Sequence, residues 1–261
     1  MDIRDRIIVI TGGAHGIGRA LAERFHAEGA AHVVVADLDE AAADEVARSI
    51  GGSAMRADVG QESDMAALVE TTERDIGPID LFCSNAGIAT AEDLAAPNEQ
   101  WQQIWEVNIM SHVFAARHAV PRMVERGHGY LMNTCSAAGL LNQIGGAAYG
   151  VTKHAAVGFG EWLALTYAHQ GIRVSLLCPQ AVRTAMTTGD AMDNAGVAAA
   201  EADGMIEPEQ LADAVMVGLR DETFLILPHP QVADYMRRKT DDYDRWIRGM
   251  NRFHQSIYAD Q

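Results

Sequence analysis

Lysine is almost missing from this chain: only Lys153 and Lys239 stand beside 18 arginines. Positive charge of any kind is short, with 20 Lys and Arg against 36 Asp and Glu and a formal net charge of −16. A deficit of that size argues against nucleic acid, anionic membrane surfaces and acidic protein partners, all of which select basic patches. The acidic residues are spread along the chain, as a solvated surface requires. Long apolar runs are lacking too: no stretch approaches the roughly 18 uninterrupted apolar residues of a membrane-spanning helix. The charged start, Met1-Asp2-Ile3-Arg4-Asp5-Arg6, has no apolar signal-peptide core, so the expected location is the cytoplasm. Cysteine is scarce. Cys83, Cys135 and Cys178 cannot all pair within the chain, which suits a reducing compartment. Each ends an apolar run and their spacing matches no metal motif, so they are expected as small buried hydrophobes, with no metal.

What is present suffices for a sizeable core, at 48% hydrophobic and 21% charged residues. Short β-rich runs at 7–10, 32–36, 54–57, 81–83, 130–134, 174–178 and 224–227 alternate with helix-like stretches. The first helix begins after Gly16, and others cover about 40–50, 62–76, 99–126 and 148–170. The strand runs do not alternate polar with apolar, so both faces of their sheet are covered. Repeated strand–helix–strand units predict an α/β fold, a doubly wound (Rossmann-type) parallel sheet of seven strands with helices on both faces. No repeat, low-complexity tract or linker divides residues 1–261, so one domain is expected. Two regions break the pattern. The segment at about 185–207 is rich in Ala, Gly, Asp and Met and reads as a lid. From about 228, Pro228 and Pro230 lead into Tyr235, Trp246, Phe253 and Tyr258 among charges, which reads as a helical tail that packs on something.

Thr11-Gly12-Gly13-Ala14-His15-Gly16-Ile17-Gly18 follows the first strand and opens the first helix. Glycines there let the backbone turn sharply and approach a pyrophosphate at the helix N-terminus. Asp37 ends the second strand, 19 residues after Gly18, where a carboxylate can accept hydrogen bonds from the adenosine ribose. The same carboxylate repels a 2′-phosphate. Leu38 and Asp39 supply no cation and His15 is the only one nearby, so NAD is favoured over NADP.

Together with motifs further along the chain, these features resemble the short-chain dehydrogenase/reductase family in its single-domain form of about 250 residues. Thr11 through Gly18 matches the family's cofactor loop, carrying Gly12, His15, Gly16, Ile17 and Gly18. Asp58-Val59 resembles the pair that brackets the adenine ring, with Asp37 and Leu38 at the ribose. Asn85-Ala86-Gly87 matches the N-A-G motif. Asn108 falls where the family has a helix asparagine that holds a relay water, and Ser136, Tyr149 and Lys153 match the catalytic Ser and Tyr-x-x-x-Lys. Pro179-Gln180 stands where the family has Pro-Gly, while Val182 and Thr184 match positions that contact the carboxamide. The resemblance implies one dinucleotide-binding and catalytic domain that moves a hydride between the cofactor and a small secondary alcohol or ketone, without a metal.

The residues suit that chemistry. Tyr149 and Lys153 lie four apart at the start of a helix and share one face. An unperturbed phenol titrates near roughly 10 and is a poor base at neutrality, and a neighbouring ammonium stabilises its ionised form. Tyr149 would then exchange the alcohol proton, Ser136 would hydrogen-bond the substrate oxygen, and Lys153 would also hold the nicotinamide ribose. A lysine at this one place in a lysine-poor chain is an informative coincidence.

Other groups read plainly. His112, His118, His128 and His154 build no metal spacing and are expected solvent-facing or satisfied. Trp101 and Trp105, with Val113 and Phe114, are expected in the core or at a subunit interface. Ala138, Leu140, Leu141, Ile144 and Gly145 should line a substrate pocket, with only Asn142, Gln143 and Tyr149 polar, and the lid should add Met186, Met192, Val197, Met205 and Ile206. A carboxylate or phosphate would find no cation among these residues. An uncharged, mostly apolar alcohol or ketone is therefore expected, with cyclic, aromatic and terpenoid skeletons as candidates. The resemblance implies a homo-oligomer, a tetramer favoured, built on the helices at 99–126 and 148–170. Three rivals remain: an NADPH-dependent carbonyl or carrier-protein ketoacyl reductase, a catalytically silent dinucleotide-binding protein, and an epimerase or dehydratase, whose longer relatives need a larger substrate domain.

Overall fold

A computed structural model describes residues 1–89, 94–188 and 204–259. Seven strands form one parallel sheet: β1 (Ile7–Thr11), β2 (His32–Asp37), β3 (Ser53–Arg56), β4 (Leu81–Ser84), β5 (Gly129–Thr134), β6 (Ile172–Leu177) and β7 (Leu225–Ile226). Their order is β3-β2-β1-β4-β5-β6-β7. The chain leaves β1 for one edge, then returns to β4 and builds toward the other. Between β1 and β4 the connections diverge, and the crevice beyond the carboxyl ends of these strands is the binding place of such sheets.

Helices lie around this sheet: α1 (Gly16–Ala27), α2 (Glu40–Ser49), α3 (Glu62–Asp75), α4 (Asn98–Trp105), α5 (Ser111–Arg126), α6 (Ala138–Leu141), α7 (Ala147–Tyr167), α8 (Ala185–Thr188), α9 (Pro208–Arg220), α10 (Gln231–Asp241) and α11 (Tyr243–Ala259). The unbroken apolar strand runs have a direct cause. Side chains of β1 alternate between two cores: Ile8 and Ile10 pack with Leu21, Phe25, Val46 and Leu211, while Val9 packs with Met65, Leu68, Phe114 and Val157. Both faces are dry, so neither tolerates a polar alternate. Each fully buried Leu, Ile or Phe stabilises the fold by about 1.5–3 kcal/mol.

Three local features differ from expectation. The helix expected over 99–126 is interrupted by a π-helical turn, Glu106–Met110, that joins α4 to α5 and carries Asn108. Such turns insert one residue into the helical ladder and re-aim the side chains around it. Helix α9 is not among the helices expected from sequence, although Pro208 at its first turn and a reciprocal Glu207–Gln210 capping box are legible signals. Of the lid, residues 189–203, with Met192 and Val197, lie outside the described residues, as does the side chain of Tyr258. No helix among the described residues is long and apolar enough to cross a membrane.

Phe82, at the middle of β4 and fully buried, tests the double core. Phe82→Ala should destabilise the protein by about 3–5 kcal/mol, seen in urea as a lower midpoint with an unchanged slope.

Candidate active site

The site grows from a close backbone approach. Gly12 turns with φ 63°, and a Cβ there would lie 2.9 Å from the Ala86 Cα. A Cβ on Gly18 would lie 2.0 Å from the Gly12 carbonyl oxygen. Only hydrogens fit, so the turn after β1 lies flat on the Asn85-Ala86-Gly87 segment after β4. Asn85 fastens the two, donating from Nδ2 to the carbonyls of Thr11 at 3.1 Å and Gly12 at 3.3 Å, and accepting from Thr134 Oγ1 at 3.1 Å. Thr11 Oγ1 accepts the N–H groups of Asn85 and Ala86 at 3.0 and 3.2 Å. The N-terminus of α1 therefore opens onto a shallow backbone cradle. Its N-cap residue, His15, makes no side-chain cap, so the unsatisfied N–H groups of the first turn face that cradle.

Asp37 ends β2 at the cradle's rim. Its carboxylate accepts the N–H of Ala14 at 3.0 Å and that of Asp39 at 3.1 Å. The capping of α2 falls to Asp39, which accepts from Ala42 N–H at 3.1 Å. The nearby basic side chains already face carboxylates: His15 lies 3.4 Å from Asp39, and Arg19 reaches Glu23 at 2.9 Å and Glu45 at 3.6 Å.

A cleft of about 950 Å³ runs from this rim to the tail of the chain. It is lined by Gly12, His15, Gly16, Ile17, Asp37, Leu38, Asp58, Val59, Asn85, Ala86, Gly87, Ser136, Tyr149, Lys153, Pro179, Val182 and Thr184. Of the catalytic and cofactor residues singled out from sequence, Gly18 and Asn108 do not line it. Gly18 supports the turn from behind. Asn108, fully buried, accepts Ile88 N–H at 2.9 Å and donates to the Ile88 carbonyl at 3.0 Å and to Thr152 Oγ1 at 3.2 Å. Both its amide hydrogens are engaged, so the side chain ties the π turn to α7 rather than facing the cleft.

At the centre, Lys153 is 3% exposed and its Nζ donates to the Thr134 carbonyl at 3.0 Å. The ammonium lies 5.7 Å from the centroid of the Tyr149 ring and makes no ion pair with any described residue. Ser136 Oγ accepts Ala138 N–H at 3.1 Å and lies 3.5 Å from the Pro179 carbonyl. Gln180, the departure from the family pattern, also lines the cleft, and its N–H donates to His229 Nδ1 at 3.2 Å.

The floor is as apolar as expected in part: Ala137, Ala138, Leu141 and Ile144 line it with Asn142 and Gln143, and Met186 joins them, but Leu140, Gly145, Met205 and Ile206 do not. The larger difference is the tail. Helices α10 and α11 fold back over the cleft and contribute Tyr235, Arg238, Trp246, Met250 and Phe253. The second lysine performs the docking: Lys239, 9% exposed, donates to the Leu140 carbonyl at 2.6 Å and lies 5.4 Å from the centroid of the Tyr243 ring. The tail aromatics are visible in the sequence, but nothing local tells what they cover.

The cysteines are buried thiols. Burial pushes Cys83 upward, while a hydrogen bond with Cys135, then burial, raise Cys178 well above the ordinary thiol range. Among the described residues no three His, Cys, Asp or Glu side chains gather as metal ligands. Trp101 and Trp105 stay outside the cleft.

With this geometry established, comparison with known proteins is direct. The family model described as short chain dehydrogenase matches residues 6–195. A 1-deoxy-11-beta-hydroxypentalenate dehydrogenase of Streptomyces exfoliatus is 34% identical over 257 residues, covering 95% of this chain and 91% of its own. A 2,5-dichloro-2,5-cyclohexadiene-1,4-diol dehydrogenase of Sphingobium indicum is 39% identical over 198 residues, 74% of this chain and 78% of its own. A short-chain dehydrogenase/reductase from Burkholderia phymatum, solved in complex with NAD, superposes with a TM-score of 0.83 at 26% identity, covering 94% of this chain and 96% of that one. This chain belongs to the short-chain dehydrogenase family, oxidoreductases that use a nicotinamide dinucleotide and act on secondary alcohols.

One histidine departs from expectation. His118 lies 3.3 Å from Glu62, His128 3.2 Å from the Arg126 carbonyl and His154 2.8 Å from that of Gly150. His112 instead is 1% exposed with neither ring nitrogen hydrogen-bonded. Burial, aided by the charge of Lys153, pushes it down to about 3. An unfolded histidine titrates near roughly 6.5, so between these values the unfolded chain binds a proton that the native protein excludes. Stability from this group is complete above the upper value and lost as pH falls toward the lower, by up to about 1.4 kcal/mol per pH unit. Urea unfolding at stepped pH below neutrality should show this slope, and His112→Leu should flatten it.

Proposed function

We propose that this chain, as one domain over residues 1–261, is an NAD-dependent dehydrogenase that interconverts a mostly apolar, cyclic secondary alcohol and its ketone. The observation that carries the reading is the buried Lys153 ammonium, set over the Tyr149 ring beside Ser136 in the glycine-turn cleft. A nicotinamide dinucleotide fits the cradle that a Cβ on Gly12 or Gly18 would fill, and when bound it supplies the hydride acceptor. Ser136 Oγ holds the substrate oxygen. Tyr149 takes the carbinol proton as the hydride leaves, and returns it in the reverse direction. Lys153 answers the negative charge on the tyrosine oxygen while it lacks its proton, and would hold the ribose of a bound nicotinamide dinucleotide. Asn108, outside the cleft, positions the pair from behind by tying Ile88 to Thr152 of α7.

The adenosine end of the cleft supports NAD. Asp37 and Leu38 line it with Asp58 and Val59, and no arginine or lysine stands there. A 2′-phosphate would meet a carboxylate without compensation, which also disfavours an NADPH-dependent reductase. The similar fold solved with NAD points the same way. A cyclic substrate is supported by the apolar floor, the tail aromatics and the hydroxypentalenate and cyclohexadienediol in the names of two relatives. The apolar floor suits the uncharged ring of such a substrate.

A homo-oligomer, most simply a tetramer, belongs to the same reading. Helices α4, α5 and α7 leave Trp105 39%, Trp162 51% and Leu165 85% exposed, and Val113, Phe159 and Trp162 line a shallow apolar groove. Contiguous surface of this kind marks an interface.

A screen of cyclic secondary alcohols with NAD, followed by NADH absorbance, should find turnover that Tyr149→Phe lowers by about 10²–10⁴-fold while NADH binding persists. Rates with NAD should exceed those with NADP by at least about tenfold; equal rates would sink the cofactor assignment. Sedimentation at micromolar protein should give a multiple of 28.2 kDa, and Trp162→Asp should shift it toward the single chain. A monomer from the unaltered protein would contradict the interface.

A further inference from the structure

We infer that Arg238 recognises a carboxylate on the substrate, at the end remote from the carbinol. The inference rests on the proposed dehydrogenase reading and names the charge of the molecule that this cleft accepts.

Arginine lines the described cleft at one place only, Arg238 on α10. Elsewhere in this acidic chain many arginines already face carboxylates, such as Arg6 with Asp80, Arg117 with Glu62, Arg126 with Glu73 and Arg183 with Glu207. Arg238 forms no ion pair with any described residue, although acids flank it in sequence. Asp234, one turn earlier, pairs with Arg237. Asp242, one turn later, accepts the Arg245 N–H at 2.8 Å at the start of α11. The guanidinium is held by something other than charge: it lies 5.6 Å from the centroid of the Tyr235 ring, three residues earlier on the same helix face.

Its place is set by its neighbour. Lys239 clamps α10 to the Leu140 carbonyl of α6, and Arg238 lines the same cleft as Ala138 and Leu141 of α6. Ser136 lies at the start of the floor and Tyr149 beside it. A substrate whose hydroxyl sits between Ser136 and Tyr149 extends across α6 toward Arg238, flanked by Tyr235, Trp246 and Phe253. The adenosine end of the cleft, at Asp37, lies on the other side of the β1–β4 crevice, so a cofactor phosphate is a poor match for this arginine.

The chemistry favours a carboxylate over a phosphate. A guanidinium fork matches a planar carboxylate with two parallel hydrogen bonds. A phosphate dianion would need further cations, and the substrate side of the described cleft offers none besides Lys153, whose Nζ is bonded to Thr134. A chain of net charge −16 repels anions in general, so it admits an organic acid only where a local cation reverses the field. The inferred substrate class is an alicyclic hydroxy acid with its carboxylate across the ring from the carbinol.

Paired probes test this. Oxidation of 4-hydroxycyclohexanecarboxylate and of its methyl ester, with NAD, compares the same ring with and without charge. The unaltered protein should prefer the acid in kcat/KM by about tenfold or more. Arg238→Gln should abolish that preference through KM and leave the ester unchanged, Arg238→Lys should retain part of it, and Arg237→Gln, altering a paired neighbour outside the cleft, should change neither. If Arg238→Gln lowers acid and ester alike, or leaves their ratio intact, the inference is overturned. A binding arm separates this result from the dehydrogenase reading. Cyclohexanecarboxylate should bind the NADH complex saturably by tryptophan fluorescence, cyclohexanecarboxamide should bind more weakly, and Arg238→Gln should remove the difference. That outcome upholds Arg238 even if neither ring is oxidised. Equal binding of acid and amide by the unaltered protein overturns it.

Discussion

A buried ammonium held by a strand-end carbonyl is the constraint on which the rest of the site depends. Lys153 is 3% exposed, and the one described hydrogen-bond acceptor at its Nζ is the Thr134 carbonyl, 3.0 Å away. A charge in that position is expensive to desolvate, so every element that places it must be held firmly. Strand β5 supplies the carbonyl, and its own terminus is held by the Thr134–Asn85 bond to the segment after β4. Helix α7 supplies the lysine, and Asn108 fixes that helix through Thr152, the adjacent residue. The glycine turn, in contact with Asn85, is thereby linked to the same framework. The glycine turn and the Tyr149–Lys153 pair thus share one hydrogen-bonded framework.

The economy of lysine fits this picture. The chain meets most needs for positive charge with arginine, whose planar fork suits surface carboxylates. Lysine occurs twice, and each time the head group donates to a main-chain carbonyl in a confined place: Lys153 to Thr134 at the centre, Lys239 to Leu140 at the floor. A compact ammonium on a flexible stem enters such sites where a guanidinium would not. Lys239 therefore does for the tail what Lys153 does for α7, fixing one element against the next through a single polar contact.

Much of this is legible because it is local. The two-sided sheet can be read from strands such as 7–10, where neither face allows a polar residue. The glycine turn and Asp37 can be read from their places between strand and helix, and the Tyr149–Lys153 pair from helical spacing. What cannot be read depends on contacts distant in sequence. Tyr235, Trp246 and Phe253 are recognisable as a tail that covers something, yet only the return of α10 onto Leu140 shows that it covers the cleft. Arg238 is one arginine among many until that return places it there. His112 is expected in solvent or satisfied, because nothing in a helix sequence tells which turn is pressed into the core. Helix α9 is the exception: Glu207, Pro208 and Gln210 carry its start signal plainly, but the atypical composition just before it masks that signal as part of a lid.

His112 shows how stability and chemistry meet in this fold. It lies one turn beyond Asn108, past the π turn that re-aims the helix, and its imidazole has no hydrogen-bond partner while Lys153 is close enough to oppose its protonation. An unsatisfied buried ring costs about 1–3 kcal/mol, which packing alone would not select. A carboxylate near Lys153 could pair with it, whereas the neutral imidazole of His112 cannot, and among the described residues the lysine forms no ion pair. Burial therefore keeps two basic groups in this part of the core in different ways, the imidazole by losing its proton and the lysine by donating to the Thr134 carbonyl.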